Sequence, residues 1–218
     1  KILVADLFFF SKRLLLVTTV ILLWGGVASA VEPKSLNALL DSVLSKHVDD
    51  GYVDYPAIAK NQRFARYLKS LERANKRVHD PKNGHLAFWI NVYNAIAIKN
   101  IVEGGSNLSP MGRVSFFRLN QHRVAGRNVS LNDVKDIVIR YGDPKSHFAM
   151  SDTTYSSPSL SSVAYRRASL DEQLERAAVN FINDKRKNRF SRNLLEAKLS
   201  PVFELNMSDF GDDELLVL

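Results

Sequence analysis

The chain of 218 residues contains no cysteine. This absence excludes catalysis by a thiol, metal sites built on thiolates, and disulfide bonds. A domain of this size buries roughly 70% of the surface that its unfolded chain exposes, so its fold needs no disulfide. Composition is otherwise that of an ordinary globular protein, with 45% hydrophobic and 24% charged residues.

Sequence patterns for metal and nucleotide binding are also missing. No pair of histidines forms an H-x-x-x-H or H-E-x-x-H motif, so a dedicated zinc site is not expected. The sequence has no P-loop and no G-x-G-x-x-G, and nucleotide binding therefore has no support. We predict no metal and no cofactor. The five histidines are His47, His79, His85, His122 and His147.

The positive charge of the chain is not concentrated in one place. The formal net charge is +7, but basic and acidic residues are mixed, as in RRASLDEQLERA at 166–177. Nucleic-acid recognition is typically marked by a basic patch or stripe, and none is found. We therefore expect no nucleic acid partner, and we interpret the excess charge as a solvated basic surface.

The first 30 residues have the features of a secretory signal peptide. A basic pair precedes the apolar run Leu14–Trp24, which is followed by the small residues Ala28-Ser29-Ala30. This run is too short to span a bilayer, which needs roughly 20 apolar residues. We predict cleavage near Ala30-Val31 and a periplasmic or secreted protein that meets the membrane only through its signal peptide.

A second interpretation of the N-terminal region stays open, in which residues 2–24 form an uncleaved membrane anchor. The Ser-Lys-Arg break at 11–13 argues against it, because charged residues are costly inside a span. Without residues 1–30 the chain has 27 basic and 22 acidic residues, which leaves a modest net charge of +5.

Residues 31–218 contain no internal repeat and no low-complexity linker, so we predict one domain. Helical patterns come first and short extended segments later, without the strand–helix alternation of a parallel sheet. The predicted fold class is α+β, a single mixed domain with a central buried helix packed against a small antiparallel sheet. The predicted helices are about 36–47 after Ser35, 57–72 after Pro56, 85–103, 130–140 with a Ser130–Asp133 capping box, 169–183 with a Ser169–Glu172 capping box, and a short last helix from Ser200-Pro201. The predicted extended segments are a turn and short strand in VDDGYVDYP at 48–56, VSFF at 114–117, HRV at 122–124, HFAM at 147–150, and a hairpin of RFSR and LEAKLS.

The segment HLAFWINVYNAIAI, residues 85–98, is apolar on nearly every side but carries two asparagines. A helix that is apolar all round must be covered all round, so it is predicted to lie at the centre of the domain. Asn91 and Asn94 share one stripe of this helix, next to a stripe with Trp89 and Tyr93. A buried amide without partners costs about 1–3 kcal/mol. Either both amides clamp neighbouring backbone, or they line a pocket that holds a ligand.

A histidine and a serine in the second half of the chain are candidate reactive groups. His147 opens the HFAM segment, and Ser157 lies in the polar loop SDTTYSSP ten residues further on. If the loop folds back, the two residues can act as a base and a nucleophile. No G-x-S-x-G context aims the hydroxyl, and a lone histidine in such a position commonly serves only the fold.

Taken together, these segments resemble a known family. Its elements occur here in the family's order: VDYPAIA at 53–59, FWINVYNA at 88–95, VAGRNVSLNDVKDIVIR at 124–140, DPKSHFAM at 143–150, SSPSL-x-x-x-AY at 156–165, LDEQLERAAVNFINDKRKNRF at 170–190 and LSPVFELNMSDF at 199–210. The chain resembles the family called domain of unknown function 547 (DUF547), which occurs in exported bacterial proteins and in plant proteins behind a leucine-zipper region. The resemblance covers roughly residues 35–210.

The resemblance implies a mixed α/β domain in which the asparagine helix is central and the segment with His147 packs near it. The order of these elements is similar to that of papain-like enzymes, which is an analogy of fold and not of chemistry. Members of the family commonly carry two cysteines after HFA, and these fall on Asp152 and Ser157 here. A function that depends on those thiols is therefore lost, because a serine hydroxyl is a far weaker nucleophile.

Three hypotheses follow from the sequence. In the first, the exported domain binds a small polar ligand or a peptide through Trp89, Asn91, Tyr93, Asn94 and His147, whose amide, imidazole and aromatic groups suit such a site. In the second, the domain transfers acyl groups or cleaves amide bonds, with His147 as base, Asn91 or Asn94 as oxyanion donor, and Ser157 or water as nucleophile. In the third, the protein is a purely structural component of the bacterial envelope.

Overall fold

The computed structural model describes residues 33–79, 85–191, 193 and 196–210. The predicted signal peptide at 1–30 lies outside these residues. The described helices are α1 (Pro33–His47), α2 (Tyr55–Ala59), α3 (Gln62–Glu72), α4 (Leu86–Val102), α5 (Pro110–Val114), α6 (Leu131–Ile139), α7 (Leu170–Ile182), α8 (Pro201–Leu205) and α9 (Met207–Phe210). Within the same described residues, 3₁₀ segments cover Lys76–His79, Pro144–Phe148 and Arg167–Ser169, and a π-helical turn covers Ser115–Leu119. None of the helices in the described residues is long and apolar enough to cross a membrane.

The described strands form three separate antiparallel hairpins. Strands β1 (Val48–Asp49) and β2 (Tyr52–Val53) pair with Val48 opposite Val53, and their turn has positive φ angles at Asp50 and Gly51. The other pairs are β3 (His122–Val124) with β4 (Arg127–Val129), and β5 (Arg189–Ser191) with β6 (Glu196–Lys198). A domain of helices with small hairpins confirms the predicted α+β class.

Helix α4 is the centre of the core, as its apolar circumference predicts. Fourteen of its 17 residues are buried, including both asparagines of its predicted polar stripe. Its main neighbours are helices, α2 and α6, whereas the expectation was a small antiparallel sheet. The β3–β4 hairpin instead lies against α3, where the Ala125 amide donates to the Leu71 carbonyl at 2.8 Å.

Several helix boundaries follow the predicted capping residues. Ser130 and Asp133 form the predicted capping box at the start of α6, and Ser200 caps α8. The predicted helix at 57–72 is two helices, because the side chain of Asn61 caps a new start at Gln62. The predicted cap at Ser35 is wrong, because helix α1 already begins at Pro33. Ser169 stands at the N-cap of α7 as predicted, but it is the last residue of a 3₁₀ segment, and its side chain makes no capping hydrogen bond, so the predicted capping box is absent.

Two of the predicted strands are wrong. The first half of HFAM at 147–150 belongs to the 3₁₀ segment Pro144–Phe148, which Asp143 caps by accepting from the Lys145 amide at 2.9 Å, and its second half is irregular. Proline at the first helical position fixes a helical φ, and this local signal overrides the apolar run. VSFF at 114–117 lies in the end of α5 and the π-helical turn after it. In such short apolar runs, periodicity alone does not distinguish a helical segment from a strand.

Candidate functional site

The side-chain amide of Asn91 pairs with the backbone of a residue far along the chain. Its Nδ2 donates to the Tyr165 carbonyl at 2.8 Å, and its Oδ1 accepts from the Tyr165 amide at 2.8 Å. Nδ2 also donates to Oδ1 of Asn37 at 3.2 Å. Asn91 is only 2% exposed. Its hydrogen-bonding groups are therefore occupied by protein, as in the clamp interpretation.

Asn94 makes a second pairing of the same kind. Its Nδ2 donates to the Ala149 carbonyl at 2.9 Å, and its Oδ1 accepts from the Ser151 amide at 2.8 Å. Asn94 is 4% exposed. The two asparagines, three positions apart on α4, thus bind backbone at 149–151 and at 165.

These two positions are the ends of one irregular segment, residues 151–164, which we call the serine loop. Other side chains bind its backbone between the two ends. The Ala164 amide donates to Asp41 at 2.7 Å, Ser200 Oγ donates to the Ser156 carbonyl at 2.8 Å, and Asn107 Nδ2 donates to the Asp152 carbonyl at 3.1 Å. A loop of this length without secondary structure is uncommon in a compact domain unless it serves a function.

The serine loop forms one wall of a cleft with a volume of about 590 Å³. The opposite walls are the β1–β2 turn, one face of α7, and the segment 183–187 that follows α7. A second recess of about 220 Å³ shares Gly51, Ser159 and Lys187 with the cleft and also reaches Ser157. A cleft of several hundred cubic ångströms is of the size that binds small molecules.

Charged side chains line this cleft in an uneven balance. Four cationic residues, Arg176, Lys185, Arg186 and Lys187, face two acidic residues, Asp50 and Asp184. Asp184 is already paired with Arg186 through two bonds of 2.9 Å, and this hydrogen bonding lowers the pKa of the Asp184 carboxyl despite its burial. Without this pair, three cationic residues and one acidic residue remain on the cleft walls, and this excess of positive charge favours an anionic ligand.

Lys187 is the most enclosed of these cations, with a side chain 8% exposed. Its Nζ donates to the Ser157 carbonyl, lies 3.3 Å from Oγ of Ser159, and stands 5.8 Å from the ring centroid of Phe181. Burial lowers the pKa of Lys187, and the charge of Arg186 adds to this effect, while Asp184 at 3.8 Å opposes it.

Ser159 is an exposed residue at the point where the serine loop meets the β1–β2 turn. Gly51 lies against it with a φ of +79°, and a Cβ at position 51 would stand 2.7 Å from both Cβ and Oγ of Ser159. Only glycine allows this contact, since a φ in this range is also unfavourable for other residues. The glycine therefore lets Ser159 approach the hairpin turn.

His147 lies outside this cleft wall, in a pairing with the end of the described chain. Its Nε2 is 2.8 Å from Oδ2 of Asp209, and its ring packs against Phe210 with a centroid distance of 5.5 Å. Burial lowers the pKa of His147, although the hydrogen bond to Asp209 opposes that shift. His147 is two residues before Ala149, so the Asn94 clamp fixes the backbone next to the imidazole.

Ser157 and His147 make no hydrogen bond with each other in the described part of the chain. The Ser157 hydroxyl donates to the Thr154 carbonyl at 2.9 Å and lies 3.5 Å from Oγ of Ser151. His147 directs Nε2 to Asp209 instead. The geometry gives the predicted pair of base and nucleophile no support.

The two aromatic residues of the predicted site are core residues. Trp89 is fully buried, and its indole Nε1 donates to the Val78 carbonyl at 2.7 Å. Tyr93 is also buried, and burial raises the pKa of its phenol, with a further contribution from the charge of Asp152. Neither residue lines the cleft of the serine loop.

The structure therefore brings the serine loop, Gly51 and Lys187 together. Of the predicted site residues, Ser157 lies within that loop, whereas Asn91 and Asn94 bind the backbone at its two ends. Ser159, Lys187 and Arg186 were missed from the sequence, where DKRKNRF has the pattern of a solvated charged segment. The Asp-Gly pair in VDDGYVDYP was the one local signal for the hairpin turn at the cleft. No cluster of three or more possible metal ligands occurs among the described residues.

A further buried histidine lies away from the cleft. His122 is 8% exposed, and neither ring nitrogen has a hydrogen-bond partner among the described residues. Burial lowers its pKa to about 4, the charge of Lys99 adds to this effect, and Glu103 opposes it. The neutral imidazole is therefore strongly preferred in the folded state.

Comparison with known proteins connects part of the chain to a family. A family model described as a protein of unknown function, DUF547, matches residues 77–182. The matched segment includes α4, the serine loop and α7. No curated protein and no solved structure matches the chain.

Proposed function

Through residues 77–182 the chain belongs to the DUF547 family, whose function is unknown, and we propose that its domain binds a small anionic ligand in the cleft of the serine loop. One observation carries this proposal. Two buried asparagines of the central helix hold both ends of the loop that forms the cleft wall. Binding sites gain affinity when their walls are fixed before the ligand arrives.

The chemistry of the cleft supports a small ligand with negative charge. Its volume of about 590 Å³ is within the range of small-molecule sites. Cationic residues exceed acidic ones on its walls, and hydroxyls such as that of Ser159 are available for hydrogen bonds. A carboxylate or a phosphate ester satisfies both features, because cations and hydroxyl donors recognise its oxygens.

A thermal-shift screen of the full chain tests this proposal. Small carboxylates and phosphate esters are expected to stabilise the protein, by about 2.7 kcal/mol at a concentration of 100 times Kd. Cationic and neutral analogues of equal size should have little effect. The double variant Arg176→Gln, Lys185→Gln should lose the shift, whereas Lys198→Gln, an exposed lysine outside the cleft, should keep it. If no anion stabilises the wild-type protein, the proposed binding function is wrong, and the result favours the purely structural hypothesis.

We also propose that the domain acts outside the cytoplasm, on the basis of the signal-peptide pattern in residues 1–30. Edman sequencing of the protein recovered from the periplasm or medium should begin at Val31. Retention in the cytoplasm would contradict this proposal, and an intact N-terminus on the exported protein would favour the uncleaved anchor over the signal peptide.

A further inference from the structure

Ser159 and Lys187 form a pair in which an exposed hydroxyl meets a buried amine. The two polar atoms, Oγ and Nζ, are 3.3 Å apart, and both residues line the cleft. Gly51 also lies against the Ser159 side chain. The hydroxyl thus has a glycine and a lysine as neighbours at an exposed position on the cleft wall.

The surroundings of Lys187 suit a base. A lysine amine accepts a proton only when neutral, and burial of its side chain disfavours the charged form. Asp184 would favour the charged form, but its carboxylate is engaged by two bonds from Arg186. Nζ donates to the Ser157 carbonyl, which orients the amine, and it also donates to Oγ of Ser159 at 3.3 Å. Loss of one proton from Nζ would leave a lone pair within hydrogen-bond distance of that hydroxyl.

We propose that Ser159 is a nucleophile and Lys187 its general base in the hydrolysis of small esters that carry a negative charge. The substrate class rests on the proposed anion-binding function of the cleft. Pairs of serine and lysine are a known alternative to the serine–histidine arrangement, since both supply a base within hydrogen-bond reach of the hydroxyl.

The reaction takes place in two stages. Neutral Lys187 takes the hydroxyl proton as Oγ of Ser159 bonds to the ester carbonyl carbon, and the carbonyl oxygen takes up the electron pair. The carbonyl then re-forms as the bond to the leaving alcohol breaks, and the alcohol oxygen receives the proton from Lys187. The product of this stage is an acyl ester on Ser159. In the second stage Lys187 takes a proton from water as the water oxygen attacks this ester. Oγ then departs, regains the proton, and the carboxylic acid is released.

Labelling of the full chain with a fluorophosphonate tests the pair directly. Oγ attacks phosphorus and fluoride leaves, so the product is read by intact mass, and peptide mapping locates the modified serine. We expect one label, on Ser159, with none on Ser159→Ala. The exposed Ser45 on α1 lies outside the cleft, and Ser45→Ala should react at the wild-type rate.

The lysine variants separate a base from a structural residue. Lys187→Gln and Lys187→Arg can both still donate to the Ser157 carbonyl, but neither accepts a proton at neutral pH. Each is expected to label 10²–10⁴-fold more slowly, which is the usual contribution of a general base. The wild-type rate should rise with pH around a midpoint below the ordinary lysine value of about 10.4, and Lys187→Arg should lose this dependence. Melting curves verify that both variants are folded.

Three results would overturn the inference. These are a label on Ser157 or another serine, equal rates for wild type and a folded Lys187→Arg, or no label at all. If anions still stabilise an unlabelled protein in the thermal-shift screen, the cleft binds without reacting, and only the catalytic inference is lost. A specific label on Ser159 in a protein that no anion stabilises would keep the pair and remove the proposed ligand class.

Discussion

Replacement of Asn94 by alanine is the sharpest test of what the buried amides do. The substitution removes one donor and one acceptor at a residue that is 4% exposed, and it strands the Ala149 carbonyl and the Ser151 amide. Each buried polar group left without a partner costs about 1–3 kcal/mol, so the two together should cost about 2–6 kcal/mol. A water molecule that enters the space would bring the cost to the lower end of this range.

Urea denaturation measures this cost. The free energy of unfolding is extrapolated to zero urea for the wild type, for Asn94→Ala, and for Asn128→Ala as the matched control. Asn128 is an exposed residue of β4, and its substitution should change stability by less than about 0.5 kcal/mol. If Asn94→Ala costs no more than the control, or if Asn94→Leu stabilises the protein, the clamps are not what holds the loop.

Three further predictions concern other positions. Gly51→Ala should destabilise the fold by about 1–3 kcal/mol and slow labelling of Ser159, because the new Cβ would clash with Ser159 at a position whose φ is already unfavourable for alanine. Gly142 has a similar φ of +75° but open space around it, so Gly142→Ala should show only the cost of the backbone conformation, and melting curves of both variants measure the difference. Because burial lowers the pKa of His122 to about 4 in the folded state, below its ordinary value of 6.5, its contribution to the free energy of unfolding should be fully present above pH 6.5 and fall by about 3 kcal/mol towards pH 4. In His122→Phe the free energy of unfolding, measured by urea titration at each pH, should lack this fall. Asp209→Asn should shift the imidazole titration of His147, followed by NMR, to still lower pH, since Asp209 is the group that holds that pKa up; an unchanged titration would contradict the pairing.

Local signals in the sequence predicted most of the longer helices and the central position of α4. The capping box of Ser130 and Asp133 involves residues three apart, and the structure contains both of its bonds. The apolar circumference of 85–98 placed α4 at the centre, because nothing but complete burial suits such a surface. Where two local signals competed, at Pro144 and HFAM, the proline and its cap decided the outcome.

The site was harder to predict because its contacts join distant parts of the chain. Asn94 binds backbone 55 residues further on, and Asn91 binds backbone 74 residues further on. The sequence indicated that these amides needed partners, but it offered no means to identify them. The pairing of Ser159 with Lys187 depends on the same loop path, so neither residue stood out from its neighbours.

The two asparagines predicted as site residues lie behind the wall of the proposed cleft site and not on its surface. Asn91 and Asn94 face the inner side of the serine loop, where their amides are occupied by backbone. The cleft lies on the other side of that loop, against the β1–β2 turn and α7. The buried asparagines therefore indicated the loop next to the proposed site without lining the cleft themselves.

Hydrogen exchange at two backbone amides tests the central claim most directly. The amides of Ser151 and Tyr165 donate to asparagine side chains of α4, so they should exchange only through large-scale unfolding, with protection close to that of the helix itself. In Asn94→Ala the Ser151 amide should lose that protection while the Tyr165 amide keeps most of it. Exchange of both amides at the rate of an open loop in the wild-type protein would contradict the account.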